Sequence, residues 1–164
     1  YFMMGFAVLL VSGLLLIFLG LGILKSPWVL TVASLIPLGI SMGVVEEYFP
    51  QYKKIFKWFA LVGFLAIAIA GIDVLKKISV PLFHGVAGLV IFLGPFLAKK
   101  APRGFWWVGV GGVLIGLGGI ALAFISLGSQ LLFFSPAFVM AILTPLLLLM
   151  TLAFTYGFMQ DIKG

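Results

Sequence analysis

Few side chains in this sequence are equipped for chemistry. Its 164 residues hold four acids (Glu46, Glu47, Asp73 and Asp161), a single histidine (His84) and no cysteine. Without cysteine there are no disulfides, thiolate metal sites, iron–sulfur clusters or cysteine nucleophiles. One histidine cannot supply two axial haem ligands or a histidine-rich metal site. No serine pairs with a histidine behind a glycine elbow, and no lysine stands mid-run where a Schiff base would hold a retinal. The residues therefore imply no catalytic group, no cofactor and no metal, and they point away from an enzyme.

What remains is a short roster of ionisable groups for ion binding, proton transfer or pH sensing: Asp73, His84, Glu46 and Glu47. Each also has a plainer reading. Asp73 is placed to pair with Lys76 or Lys77 three or four residues on. His84 titrates near neutral pH and faces Asp73 if the two lie across one hairpin; otherwise it bonds to backbone or water. Glu46 and Glu47 form an acidic pair beside Lys53, Lys54 and Lys57, either a solvated helix end or a contact for a partner. Thr144, Thr151 and Thr155 either bond back to their own helix or line a polar track.

The elements that position these groups are set by composition. Hydrophobic residues make up 64% of the chain and charged residues 9%, against about 45–50% and 25% in soluble domains. A chain this short cannot bury so much apolar surface on itself, so lipid is the expected solvent. Apolar runs of about 20 residues, enough to span a hydrocarbon core of about 30 Å, recur throughout. The expected fold is an all-α integral membrane bundle, a single domain of six helices over residues 2–24, 27–45, 56–75, 81–98, 105–125 and 136–159, arranged as three hairpins.

The net charge of +6 falls almost wholly between these runs, where it anchors helix ends at anionic headgroups rather than binding nucleic acid. Seven basic residues lie on the side of the Lys53–Lys57 and Lys99–Arg103 connections and the C-terminal tail, against three (Lys25, Lys76, Lys77) on the other. That excess places both termini in the cytoplasm and the chain in the cell membrane as a multi-pass protein. Trp58, Trp106 and Trp107 then stand at the inner interface and Trp28 at the outer. No cleavable signal peptide is evident; either Met3 or Met4 is the natural start, or native sequence precedes Tyr1. Absence of both cysteine and asparagine fits a thermophilic source.

Each outer turn carries the same device: Ser26-Pro27, Ser79-Val80-Pro81 and Ser135-Pro136. Proline suits the first helical position and a preceding serine caps the free donors of the first turn. Deeper prolines, Pro37, Pro145 and Pro95, are expected to kink their helices.

Small residues predict how the helices meet. Gly109, Gly112, Gly116, Gly119 and Ala123 step by three and four along the fifth run, with a second pair at Gly39 and Gly43. The stripe places the fifth helix at the bundle centre or at a subunit contact. The phrase GVGGVLIGLGG is not a nucleotide loop, because Leu114 stands where the third glycine belongs and no strand precedes it.

Hairpins of the form GLLLIFLGLGILKSPWVLTVASLIPLGI, with GGVLIGLGGIALAF before the last turn, resemble those of the HdeD-like family of small six-helix bacterial and archaeal membrane proteins. That resemblance covers most of the chain and departs most in the middle hairpin, with Asp73, Lys76, Lys77 and Pro95. It implies a non-enzymatic membrane protein tied to acid resistance or another stress, and brings no catalytic residues with it. Two functions stay open from the residues: an accessory subunit or small homo-oligomer, and a small channel or transporter with Asp73 and His84 at its outer mouth and Glu46 at its inner.

Overall fold

A computed structural model describes residues 1–19, 27–69, 73–126 and 135–163. Helix dominates, and no strand occurs among the described residues. The helices are α1 (Phe2–Leu19), α2 (Pro27–Ala33), α3 (Leu35–Tyr48), α4 (Lys53–Ile69), α5 (Asp73–Leu97), α6 (Trp106–Ser126) and α7 (Pro136–Lys163), with a 3₁₀ turn at Pro50–Tyr52 between α3 and α4. Among the described residues, three stretches are long and apolar enough to cross a membrane: Phe2–Leu19, Ile78–Leu97 and Pro145–Ile162. Trp106–Leu117 is apolar but shorter.

The chain divides into two compact units, Tyr1–Ile91 and Phe92–Gly164. In the first, α3 is the core element. Every residue from Leu38 to Val45 is buried, so this helix is enclosed on all sides rather than along one stripe. Helix α1 meets it backbone to backbone. A Cβ placed on Gly39 would lie 3.2 Å from the Gly5 Cα, and one on Gly43 would strike the Phe2 ring at 2.4 Å. Helix α4 contributes Gly63, over which the Phe83 ring of α5 lies, with Phe59 4.9 Å away between ring centroids.

The run expected as one helix over 27–45 is two. The helix breaks at Ser34, three residues before Pro37. Proline has no N–H for the carbonyl of Ala33, and its ring crowds that carbonyl; the interruption falls where this bond is lost, while Ser34 itself keeps right-handed helical angles (φ −63°, ψ −21°). Two buried serines bond back to carbonyls nearby, Ser34 Oγ donating to that of Thr31 (2.6 Å) and Ser41 Oγ to that of Pro37 (2.6 Å), with Leu38 O at 3.1 Å.

A second correction concerns the middle of the chain. Residues 76–80 are not a turn: α5 starts at Asp73 and runs unbroken through Pro81 and Pro95. Asp73 therefore opens α5 rather than closing the preceding helix, and the predicted run over 56–75 stops short of it. An acid in the first turn favours that start, and Pro81 costs the helix one backbone bond, a loss tolerated in apolar helices.

In the second unit α6 and α7 pack antiparallel. Position 157 faces 108 and position 111 faces 154, so numbers rise on one helix as they fall on the other. Gly104, with φ +96°, turns the chain into α6 in a conformation only glycine adopts easily. Helix α7 begins as its sequence predicts: Pro136 takes the first position, and the Phe138 N–H donates to Ser135 Oγ at 3.2 Å. It continues through Pro145 to Lys163. The Ser26 of the first such device lies outside the described residues, although Pro27 does open α2.

Candidate functional site

Among the described residues, no three histidine or acidic side chains cluster. Glu46 lies in the last turn of α3 and Lys53 opens α4, and the two form a salt bridge across the intervening turn. Electrostatics explains the pairing. A carboxylate at a helix C-terminus and an ammonium at an N-terminus each face a helix end of their own sign, and the bridge offsets both. The hydrogen bond to Glu46 is the largest cause that holds the Lys53 ammonium above the ordinary lysine value of 10.5, and the acid's charge adds to it. Glu47, next in sequence, is exposed.

His84 is half-buried on α5, its Nδ1 3.1 Å from the Val80 carbonyl one turn earlier. Asp73 lies on the same helix, eleven positions before it. At about 1.5 Å per residue the two are some ~16 Å apart along the axis, so they do not face one another as the hairpin reading required. The side chains of Asp73, Lys76 and Lys77 lie outside the described residues. Thr151 Oγ1 bonds back to the Leu147 carbonyl at 2.8 Å, so its polarity is spent within its own helix.

The small residues separate by face. On α6, Gly109 and Gly112 are buried, and a Cβ on Gly109 would meet the Phe96 ring at 2.4 Å and the Phe92 carbonyl at 2.7 Å, at the end of α5. Gly116 has open space, with nothing within 4 Å of its would-be Cβ. The side-chain surroundings of Gly119 and Ala123 lie outside the described residues. The contact with α7 is made instead by Gly111, which takes the Phe154 ring, and Gly157, which takes Val108. Neither had been singled out from the sequence. Gly157 does carry a spacing signal, since Ala153 stands four residues before it.

Beside that contact runs an open groove of about 490 Å³ lined by Trp107, Val110, Leu114, Leu149, Leu152, Ala153 and Tyr156. Its residues recur at three- and four-residue steps on both helices, which puts them on facing stripes. At one end Trp107 stacks on Trp106 (centroids 4.6 Å) and meets Tyr156 edge-on (5.9 Å). That end adjoins the Lys99–Arg103 connection, whose Lys99, Lys100 and Arg103 are exposed.

Compared with protein-family models, curated proteins and solved structures, the chain matches none. Function has to be argued from its own residues. They offer an apolar groove with an amphipathic, basic rim, and polar groups that are dispersed or locally satisfied.

Proposed function

We propose that this is a non-enzymatic multi-pass membrane protein that works through packing, as an accessory subunit or a small homo-oligomer, with both termini on the cytoplasmic side. One observation carries the reading. Large apolar side chains stand exposed all along α1, including Leu10, Leu14, Ile17 (76%) and Phe18 (81%), and Gly5 is the one buried residue described on that helix. Water would penalise such a surface by about 25 cal/mol for each Å² of apolar area, whereas lipid or an apolar partner helix would not. Glu46 is paired with Lys53 and the His84 ring with the Val80 carbonyl, local partnerships that fit a role in packing.

Membranes from expressing cells, washed with alkaline carbonate and then solubilised in mild detergent, test this directly. The protein should resist the wash and elute in detergent with further copies or with other subunits. Release by carbonate would refute the membrane reading, and a lone monomer that conducts solute in liposomes would refute the accessory one. Because the chain has no cysteine, Lys54→Cys and Lys100→Cys are clean topology probes. Both should react only with reagent that has reached the inner side.

A further inference from the structure

The groove between α6 and α7 has the shape and charge of a lipid site. We propose that it binds an anionic phospholipid, an acyl chain lying along the groove and the phosphate held at the rim by Lys99, Lys100 and Arg103. The inference rests on the membrane reading and adds to it a specific occupant.

Four observations support it. The lining is apolar over its whole length, from Trp107 and Tyr156 at one end to Leu114 and Leu149 at the other. Its volume, about 490 Å³, falls within the range of about 300–1,000 Å³ found for small-molecule sites. The two lining residues that carry a polar side-chain group, Tyr156 and Trp107, stand at the basic end, as expected where a chain meets a headgroup. Among the described residues, Lys99, Lys100 and Arg103 stand at that end of the unit against one acid, Asp161. A net positive rim over an apolar slot selects for a ligand with a negative head and a hydrocarbon tail. Basic pockets between membrane helices take anionic headgroups for this reason. A second helix laid in the groove would satisfy the apolar stripe but leave the rim charges unanswered.

The test uses the full chain in mild detergent, offered phosphatidylglycerol and phosphatidylcholine with identical acyl chains, with retained lipid counted by native mass spectrometry. The wild type should retain phosphatidylglycerol preferentially. Replacing Lys99, Lys100 and Arg103 together with glutamine, at exposed positions outside the packed helices, should reduce that preference at least about fivefold. Leu149→Trp with Leu152→Trp, both exposed at the groove, should lower retention of both lipids. Equal retention by the wild type, or an undiminished preference in the glutamine variant, would overturn the proposal. Circular dichroism checks that the tryptophan variant stays helical; should it unfold, the glutamine variant decides alone. A protein that resists carbonate yet shows no lipid preference sinks the lipid site only, whereas release by carbonate sinks the membrane reading beneath it.

Discussion

Gly157 offers the sharpest test of how α6 and α7 meet. A Cβ at this position would lie 2.7 Å from the Val108 amide nitrogen, 2.7 Å from Val108 Cγ2 and 3.3 Å from the Trp107 carbonyl carbon. Two of those three atoms are backbone, so relief requires the helices to move apart rather than one side chain to turn. Overpacking of a well-filled interior costs about 1–3 kcal/mol. With backbone on the far side the upper part of that range, about 2–3 kcal/mol, applies, and alanine in place of glycine returns about 1 kcal/mol of helix propensity, which leaves a net loss of about 1–2 kcal/mol for Gly157→Ala. In a chain of this size each kcal/mol shifts a melting midpoint by roughly 2–4 °C, so the variant should melt about 2–8 °C below wild type.

The control is Gly116→Ala. Nothing lies within 4 Å of a Cβ there, so alanine gains propensity without a clash and should melt at or slightly above wild type. Melting in detergent followed by circular dichroism reads both variants under one condition. A Gly157→Ala protein as stable as wild type would refute the α6–α7 packing described above. A destabilised Gly116→Ala protein would instead mean that this face is covered by another copy or another subunit.

Two further predictions follow from local chemistry. Ser135→Ala removes the acceptor for the Phe138 N–H and should destabilise the start of α7 by about 1 kcal/mol, with Ser135→Asp keeping most of the loss at bay; hydrogen exchange at Phe138 and its neighbours reads the change. Lys53→Gln removes the bridge to Glu46. Since the Lys53 value is raised in the folded state, its contribution is fully present below the ordinary lysine value of 10.5 and is lost as pH climbs through the raised one. The melting difference between wild type and Lys53→Gln should be constant near neutrality and vanish in strong alkali; a difference that persists there would show that something other than the charge pair is at work.

Much of the helical architecture is legible in the sequence because it depends on local rules. Long apolar runs, proline at the first position of α7 and the serine before it all act within one or two turns. The errors share a cause of the same kind. The sequence places Pro37 inside a helix and Pro81 at the start of one, yet the helix is interrupted ahead of the first and runs on through the second. What differs is the surroundings. Around Pro37 the buried Ser34 and Ser41 hydroxyls bond to the Thr31 and Pro37 carbonyls, whereas α5 is already under way from Asp73 when it reaches Pro81. Neither influence is written at the proline itself.

The packing and the groove were less legible, for a geometric reason. Spacing tells which small residues share a face of one helix but not whether that face has a neighbour. Gly109 and Gly116 belong to one predicted stripe, yet only Gly109 has a ring against it. Gly111 and Gly157 work as a pair across two helices, and no periodicity within either helix links them. The groove has the same character. Trp107, Val110 and Leu114 on α6, and Leu149, Leu152 and Tyr156 on α7, each look like ordinary apolar stripes. They line a slot beside the close contacts that Gly111 and Gly157 make between the two helices. The basic loop acquires its proposed meaning the same way: three cations that topology rules read as an orientation signal become a phosphate rim once the groove ends beneath them. Gly157→Ala should therefore do more than lower stability. By wedging the helices apart it should also weaken lipid retention with Lys99, Lys100 and Arg103 intact, a coupling that would not arise if the groove and the glycine contact were independent features.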